Sequence, residues 1–300
     1  MGEAYSAVAD EASALYWNPA GLAQISGGSL IVMHAPYIDS SFYDYGACAQ
    51  NLGSWGVFAL GAQFLSYGSI PQTDQFGADA GSFNPTDMAI SLGYAHALGR
   101  GSVGFSGKFI QSTILTSAQT EAMDFGFLSP GFWDNKLKLA LVATNIGGQI
   151  KFEQEGADLP KTVKVGGRLK LFRSFILSFD GVVPNYNDPY VALGTEYGLP
   201  LSPGTQVAFR AGYNTRTLND LDGLTSVSLG MGLILSRMSI DYAFLPLGSL
   251  GYTHRISLSC RWGEITREPV HHKEPEDRLY MKQKLHDQFI DEFEKQGGKP

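Results

Sequence analysis

From about Ser29 to Trp262 apolar residues recur at every second position. Val103, Phe105, Gly107 and Phe109 interleave with Gly104, Ser106 and Lys108; Val227, Leu229, Met231 and Leu233 interleave with Ser228, Gly230 and Gly232. A period of two belongs to a strand whose faces meet different surroundings. We count about fourteen such segments, with cores near 29–37, 41–50, 55–66, 87–98, 102–114, 120–131, 136–146, 161–171, 174–183, 189–198, 205–214, 224–235, 237–245 and 252–262. An even number of strands is expected of a closed single-chain bacterial barrel.

The connections alternate as well. Asn51–Ser54, Gly99–Gly101, Asp134-Asn135, Phe172-Arg173, Leu199–Gly204 and Ser236-Arg237 are short. Tyr67–Thr86, Gly147–Pro160, Val183–Asp188, Thr215–Gly223 and Pro246–Gly251 tend to be longer. Short turns at one rim and longer loops at the other suit an outer-membrane barrel, with both chain ends on the short-turn, periplasmic side.

Parity places Lys108, Asp124, Lys164, Arg168, Lys170, Asp180, Glu196, Arg210, Asp241, Arg255 and Arg261 on one face. In a soluble sandwich that face is wet and the apolar face is the core. In a membrane barrel the apolar face meets lipid and the charges line the lumen. Two features favour the membrane. Trp55, Tyr94, Phe132, Trp133, Tyr197, Tyr213 and Trp262 lie near strand ends, as interfacial girdles do. The apolar faces are also bulky on nearly every strand, more than two stacked sheets could share.

Composition agrees with either all-β class. Charged residues make up 17%, below the roughly 25% of ordinary chains, and there are 36 Gly. Mean hydropathy is −0.07, and no apolar run approaches the length of a spanning helix. A net charge of −7 argues against nucleic acid as a partner. Cys48 and Cys260 form no disulfide framework and read as two free thiols. Parity puts Cys48 with Asp44 and Gln50 on the polar face and Cys260 with Leu258 and Trp262 on the apolar one. No secretory signal precedes Met1, although an outer-membrane protein needs one; we expect the true start to lie upstream.

After Trp262 the chain turns charged. Met281, Leu285, Phe289 and Phe293 recur every four residues, the spacing of an amphipathic helix. Such a helix would lie in the periplasm, leaning on the rim or docking a secretion-system or periplasmic protein. His271-His272 with Glu274 is too sparse for a metal site. The expected organisation is thus a plug over 1–28, a barrel over 29–262 and a tail over 263–300.

The opening stretch, "DEASALYWNPAGLA" (Asp10–Ala23), precedes any strand. Its small side chains suit a compact helix tucked into a lumen. Asp10 can cap a turn through Ala12–Tyr16. Pro19 ends it, because the residue before proline is pushed out of the helical region, and Gly21 permits the next turn. "MGEAYSAVADEASALYWNPAGLA" resembles the N-terminal signature of the PorV/PorQ (UPF0164-like) outer-membrane proteins, relatives of the FadL-type long-chain fatty-acid transporters. Met1, Gly2, Ala4, Tyr5, Ala7, Val8, Ala9 and Asp10 match it, as do Tyr16, Trp17, Asn18, Pro19, Ala20 and Gly21; Glu3 replaces a usual Gly and Ser6 a usual Thr. A second patch, "TNIGGQIKFEQEGADLPKTVKVGG" (Thr144–Gly167), is similar to the family's Asn-x-Gly-x-x-Ile element. The resemblance implies a fourteen-stranded barrel with a hatch over 8–23, its exit fixed by Asn18 and Pro19.

No nucleophile elbow, phosphate loop or metal-spaced cluster is present, so the chain reads as non-enzymatic and without cofactor. "GRGSVG" at Arg100 is a hairpin turn, since a strand follows it. The resemblance implies a role in protein secretion or surface attachment. The alternative is passive uptake of a hydrophobic small molecule, such as a fatty acid, past the hatch; a purely structural barrel is the third reading. Uptake predicts an apolar pocket beside the hatch and a lateral gap where a strand kinks.

Overall fold

A computed structural model describes residues 1–152, 155–216 and 225–263. The tail with Met281, Leu285, Phe289 and Phe293 lies outside the described residues. The strands are β1 Gly28–Pro36, β2 Phe42–Asn51, β3 Val57–Ser66, β4 Ile70–Thr73, β5 Asp79–Phe83, β6 Thr86–Leu98, β7 Gly101–Thr113, β8 Ser117–Leu128 and β9 Leu137–Gly147. They continue with β10 Gln149–Phe152, β11 Glu155–Asp158, β12 Thr162–Phe172, β13 Phe175–Pro184, β14 Tyr190–Ser202, β15 Thr205–Asn214, β16 Val227–Leu235, β17 Met238–Pro246 and β18 Tyr252–Trp262. Fourteen of them form a closed antiparallel barrel, each beside its neighbours in sequence, while β4–β5 and β10–β11 are separate two-stranded ribbons. The barrel closes where β1 pairs β18 from Gly28↔Trp262 to His34↔Ile256. Closure removes the free edge that an open sheet would expose. Among the described residues no helix is long and apolar enough to cross a membrane.

Leu60, Leu92, Phe105, Met123, Val165, Leu193, Leu229 and Ile256 are all more than half exposed or close to it. They belong to an apolar band that runs round the outside of the barrel. A band of that extent is far larger than the apolar patches of water-soluble monomers, and it is the lipid-facing surface of a transmembrane barrel. Trp55, Trp133, Phe132, Tyr197 and Trp262 stand exposed at the short-turn rim.

The rhythm of the connections has two exceptions. β7 and β8 are joined at the long-loop rim by only Ile114–Thr116, whereas β8 and β9 are joined at the short-turn rim by Ser129–Lys136. Both follow from the position of β8, which begins and ends earlier than the alternation suggested. β14 runs on to Ser202, so its turn shrinks to Pro203-Gly204.

The assignment of Cys48 to the polar inner face is incorrect. Leu30, on the outer face, is in register with both Cys48 and Cys260. The two thiols therefore lie on the same lipid-facing side, and both are free. Asp44 and Gln50 do share a face with Cys48, but they sit near opposite ends of β2. There Asp44 contacts His34 at 2.6 Å and Gln50 accepts from Trp262 at 3.0 Å. The inward residues of β2 are Tyr45, Ala47 and Ala49, all buried. They are apolar because they face the N-terminal segment rather than water.

Candidate functional site: a plugged lumen

Residues 1–27 thread the lumen. The helical part is shorter than expected, only Ala14–Trp17, and Ser13 rather than Asp10 precedes it, without a side-chain cap. Asp10 instead accepts from Arg261 of β18 at 3.0 Å. Asn18 is extended at φ −161°, as the residue before a proline prefers. Pro19 then opens a 3₁₀ turn, Pro19–Gln24, and the Asn18 side chain caps it by accepting from the Ala20 amide at 3.0 Å. The Asn18 amide group donates to the Ser6 carbonyl at 2.8 Å, tying two passes of the segment together. Asn18 is fully buried, and its amide is satisfied by Ser6 and Ala20 of the plug and by the Phe127 carbonyl of the wall at 3.4 Å.

The barrel wall is shaped around this waist. An added Cβ at Gly104 would meet the Pro19 carbonyl carbon at 2.3 Å, and one at Gly126 would meet Asn18 Oδ1 at 2.1 Å. Only glycine allows so close an approach at these two positions. Leu15 and Leu22 pack into a buried cluster with Ile31, Tyr45, Ala47, Ala49, Val57, Ala59 and Ala95 of the wall. Burying a leucine side chain contributes about 1.5–3 kcal/mol.

Polar groups of the wall hold the rest. Asp180, fully buried, accepts from the Ser6 hydroxyl at 2.8 Å and from the Ser6 and Tyr5 amides at 3.1 and 3.3 Å. Ser29 accepts from the Ala12 amide, Ser228 accepts from the Gly2 amide, and Ser102 donates to the Ala20 carbonyl. Near the long-loop rim Glu3 pairs with Arg216 at 3.1 Å and accepts from Tyr190 at 3.0 Å. Glu3 has φ +74°, a left-handed conformation costly for a non-glycine residue. Arg216 in turn is held more firmly protonated by the Glu3 charge, against the opposing effect of burial.

The predicted lumen charges all point inward, but they do different work. Lys108 and Asp124 pair at 2.7 Å, with Asp124 fully buried. Asp124 also accepts from the Asn145 amide at 2.8 Å. Asn145 has φ +59° and sits where the β8–β9 register shifts, so Asp124 satisfies a donor that the bulge takes out of the ladder. Lys164 lies 5.3 Å from the Trp17 ring centroid, a cation–π contact with the plug. Arg210 bridges Glu196 at 2.6 Å and Asp241. Arg255 donates to the Tyr37 hydroxyl at 3.0 Å. Arg168 lies in register with Lys138 and, among the described residues, meets no acid within 4 Å.

Tyr16 and Trp17 of the hatch meet edge to face with ring centroids 5.0 Å apart. Tyr5 stands 5.7 Å from Trp17, and Tyr45 of the wall 6.0 Å from Tyr16. Tyr16 is 40% exposed, so the plug keeps one aromatic ring accessible. Burial and Asp10 raise the Glu11 carboxyl, while Arg261 opposes them. Among the described residues no three His, Cys, Asp or Glu side chains converge as a metal site needs.

Sequence reasoning missed Ser6, Ser29, Ser102, Ser228, Gln24 and Tyr190. The wall serines among them carry the right parity, but a serine on a polar face has no further mark of its role.

No family model and no curated protein match the chain. Among solved structures the fold is shared with the Pseudomonas putida toluene transporter TodX at TM-score 0.54, with 10% identity over 84% of this chain and 94% of that one. A Pseudomonas aeruginosa FadL homologue superposes at TM-score 0.51, with 12% identity over 85% of this chain and 95% of that one. The PorV/PorQ resemblance has no counterpart in these comparisons.

Proposed function

We propose that the chain is a FadL-type outer-membrane channel that passes hydrophobic small molecules passively around its N-terminal plug. The observation that carries this reading is the plug itself, threaded through the lumen and presenting Tyr16, Trp17 and Tyr5 beside Tyr45. A surface of rings takes up apolar molecules by burial and by edge-to-face contact. The fold shared with a toluene transporter and a FadL homologue supports uptake over the secretion role implied by the sequence resemblance. In this reading the long-loop rim faces the medium and the short-turn rim the periplasm.

The outer wall of β1, β2, β3 and β18 carries a recess of about 520 Å³ over Gly46 and Ala62, flanked by Val32, Phe64, Ile256 and Leu258. The barrel hydrogen bonds run on beneath it, Val32↔Gly46↔Ala62 included, so it is a dent in the wall and not a lateral gap.

Uptake of labelled toluene and of a labelled long-chain fatty acid, in a host lacking such channels, tests the proposal. Expression should accelerate entry of at least one of them, and Trp17→Ala should reduce it. Entry at the rate of the empty host for both would refute it.

A further inference from the structure

We propose that the short-turn mouth of the lumen holds an oxyanion site built by Lys138 and Arg100, with the charge of Arg168 beside Lys138 completing it. The ligand class is a small oxyanion, a carboxylate or a phosphate.

Lys138 on β9 and Arg168 on β12 are register partners on the inner face. The next pair towards the rim is cationic too, since the Lys170 amide donates to the Lys136 carbonyl at 2.8 Å and brings those lysines together. Four cations thus form a two-by-two ladder on adjacent strands. Like charges directly opposite each other in a sheet repel, and burial strengthens the repulsion. Sheets ordinarily relieve such a cost with interleaved acids, as Arg210 of β15 shows between Glu196 and Asp241.

Here no such relief exists. Among the described residues none of Lys136, Lys138, Arg168, Lys170 and Arg100 has a carboxylate within 4 Å. Asp10, the acid that acts on Arg168 from a distance, is already paired with Arg261. Asp134, on the adjoining turn, makes no ion pair. Lys138 donates only to the Gln24 side chain, at 2.6 Å. The Arg168 Nε is buried without any hydrogen-bond partner, although a guanidinium nitrogen out of water costs free energy when unpaired. A recess of about 100 Å³ opens beside Lys138 and Arg100, lined also by Gln24, Ser102 and Ser129, with Arg168 next to it as the register partner of Lys138. Its size suits one carboxylate or phosphate group. An anion there would contact Lys138 and Arg100, offset the charge of the neighbouring Arg168, screen the ladder and reach the exit of the plug through Gln24. The site stands independently of the uptake reading, because it requires only an anion.

The test is thermal unfolding of the full chain in detergent micelles, titrated separately with inorganic phosphate and with octanoate in a chloride-poor buffer. Either anion should raise Tm in a saturable way. Arg168→Gln, which removes no protein–protein hydrogen bond, should weaken that protection at least tenfold in anion concentration. Lys138→Gln should do the same, and Arg168→Gln should match or exceed the wild type in Tm without anion, since a repulsion is gone. Saturation by octanoate alone identifies a carboxylate-head site, and saturation by phosphate a phosphate site. Protection by neither anion, or equal protection of the wild type and Arg168→Gln, would overturn the proposal.

Discussion

At its waist the plug is held by shape; at its head it is held by charge. Asn18–Leu22 lies against Gly104, Gly126 and a buried aliphatic cluster, with every residue from Asn18 to Leu22 buried. Glu3–Ser6 instead hangs from Asp180, Arg216 and Tyr190, and Arg216 is half exposed. Packing is insensitive to salt and pH, whereas part-exposed ion pairs are weak and screened. The waist is therefore the fixed closure, and the Glu3–Arg216 contact at the head, unlike the buried Asp180 anchor, is the part that can yield to a ligand or to a change of solution.

Overfilling the waist should break this contrast most severely. Gly126→Leu drives a side chain into Asn18, and we expect a loss of at least about 3 kcal/mol of plug docking, at the upper end for overpacking. Limited proteolysis should then cut within residues 1–27, which are protected in the wild type. Asn18→Ala leaves the Ser6 carbonyl and Ala20 amide unpaired in a dry site and should cost about 1–3 kcal/mol. Hydrogen exchange at Ala20 reads that loss directly.

The head should respond more mildly. Glu3→Gln removes an ion pair whose arginine is half exposed, so the cost should stay below about 1 kcal/mol and fade in high salt. The pH dependence of plug stability at the foot sharpens the comparison further. The Glu11 carboxyl is raised by burial and by Asp10, so the folded state binds its proton more tightly than the unfolded chain does. The resulting penalty is present above the raised folded pKa, shrinks as pH falls through it, and is gone below the unfolded value of about 4.3. Glu11→Gln should flatten that slope, as measured by urea unfolding between pH 4 and pH 7.

The same contrast explains what the sequence made legible. Fourteen strands, the closure, the outward girdle and the inward charges followed from a period of two, because lipid on one side and water on the other impose opposite demands. Inside β2 the rule fails. Tyr45, Ala47 and Ala49 face a plug, not water, so both faces of the strand are apolar in the middle and polarity no longer tells in from out. That is why Cys48 was placed on the wrong side. Asp10 misled for a related reason. As a cap it needed only a local amide, but β18 brings Arg261 to it from 251 residues away, a contact no local pattern announces. The cationic ladder escaped because Lys138 and Arg168 sit on strands separated in sequence by β10 and β11, and only the register sets them opposite each other.

Conductance across a planar bilayer tests most directly whether residues 1–27 close the barrel. The wild type should show at most brief, small openings, and Gly126→Leu should add large steady steps as the waist is displaced. Steady steps of equal size in both proteins would mean that the segment does not stop the lumen.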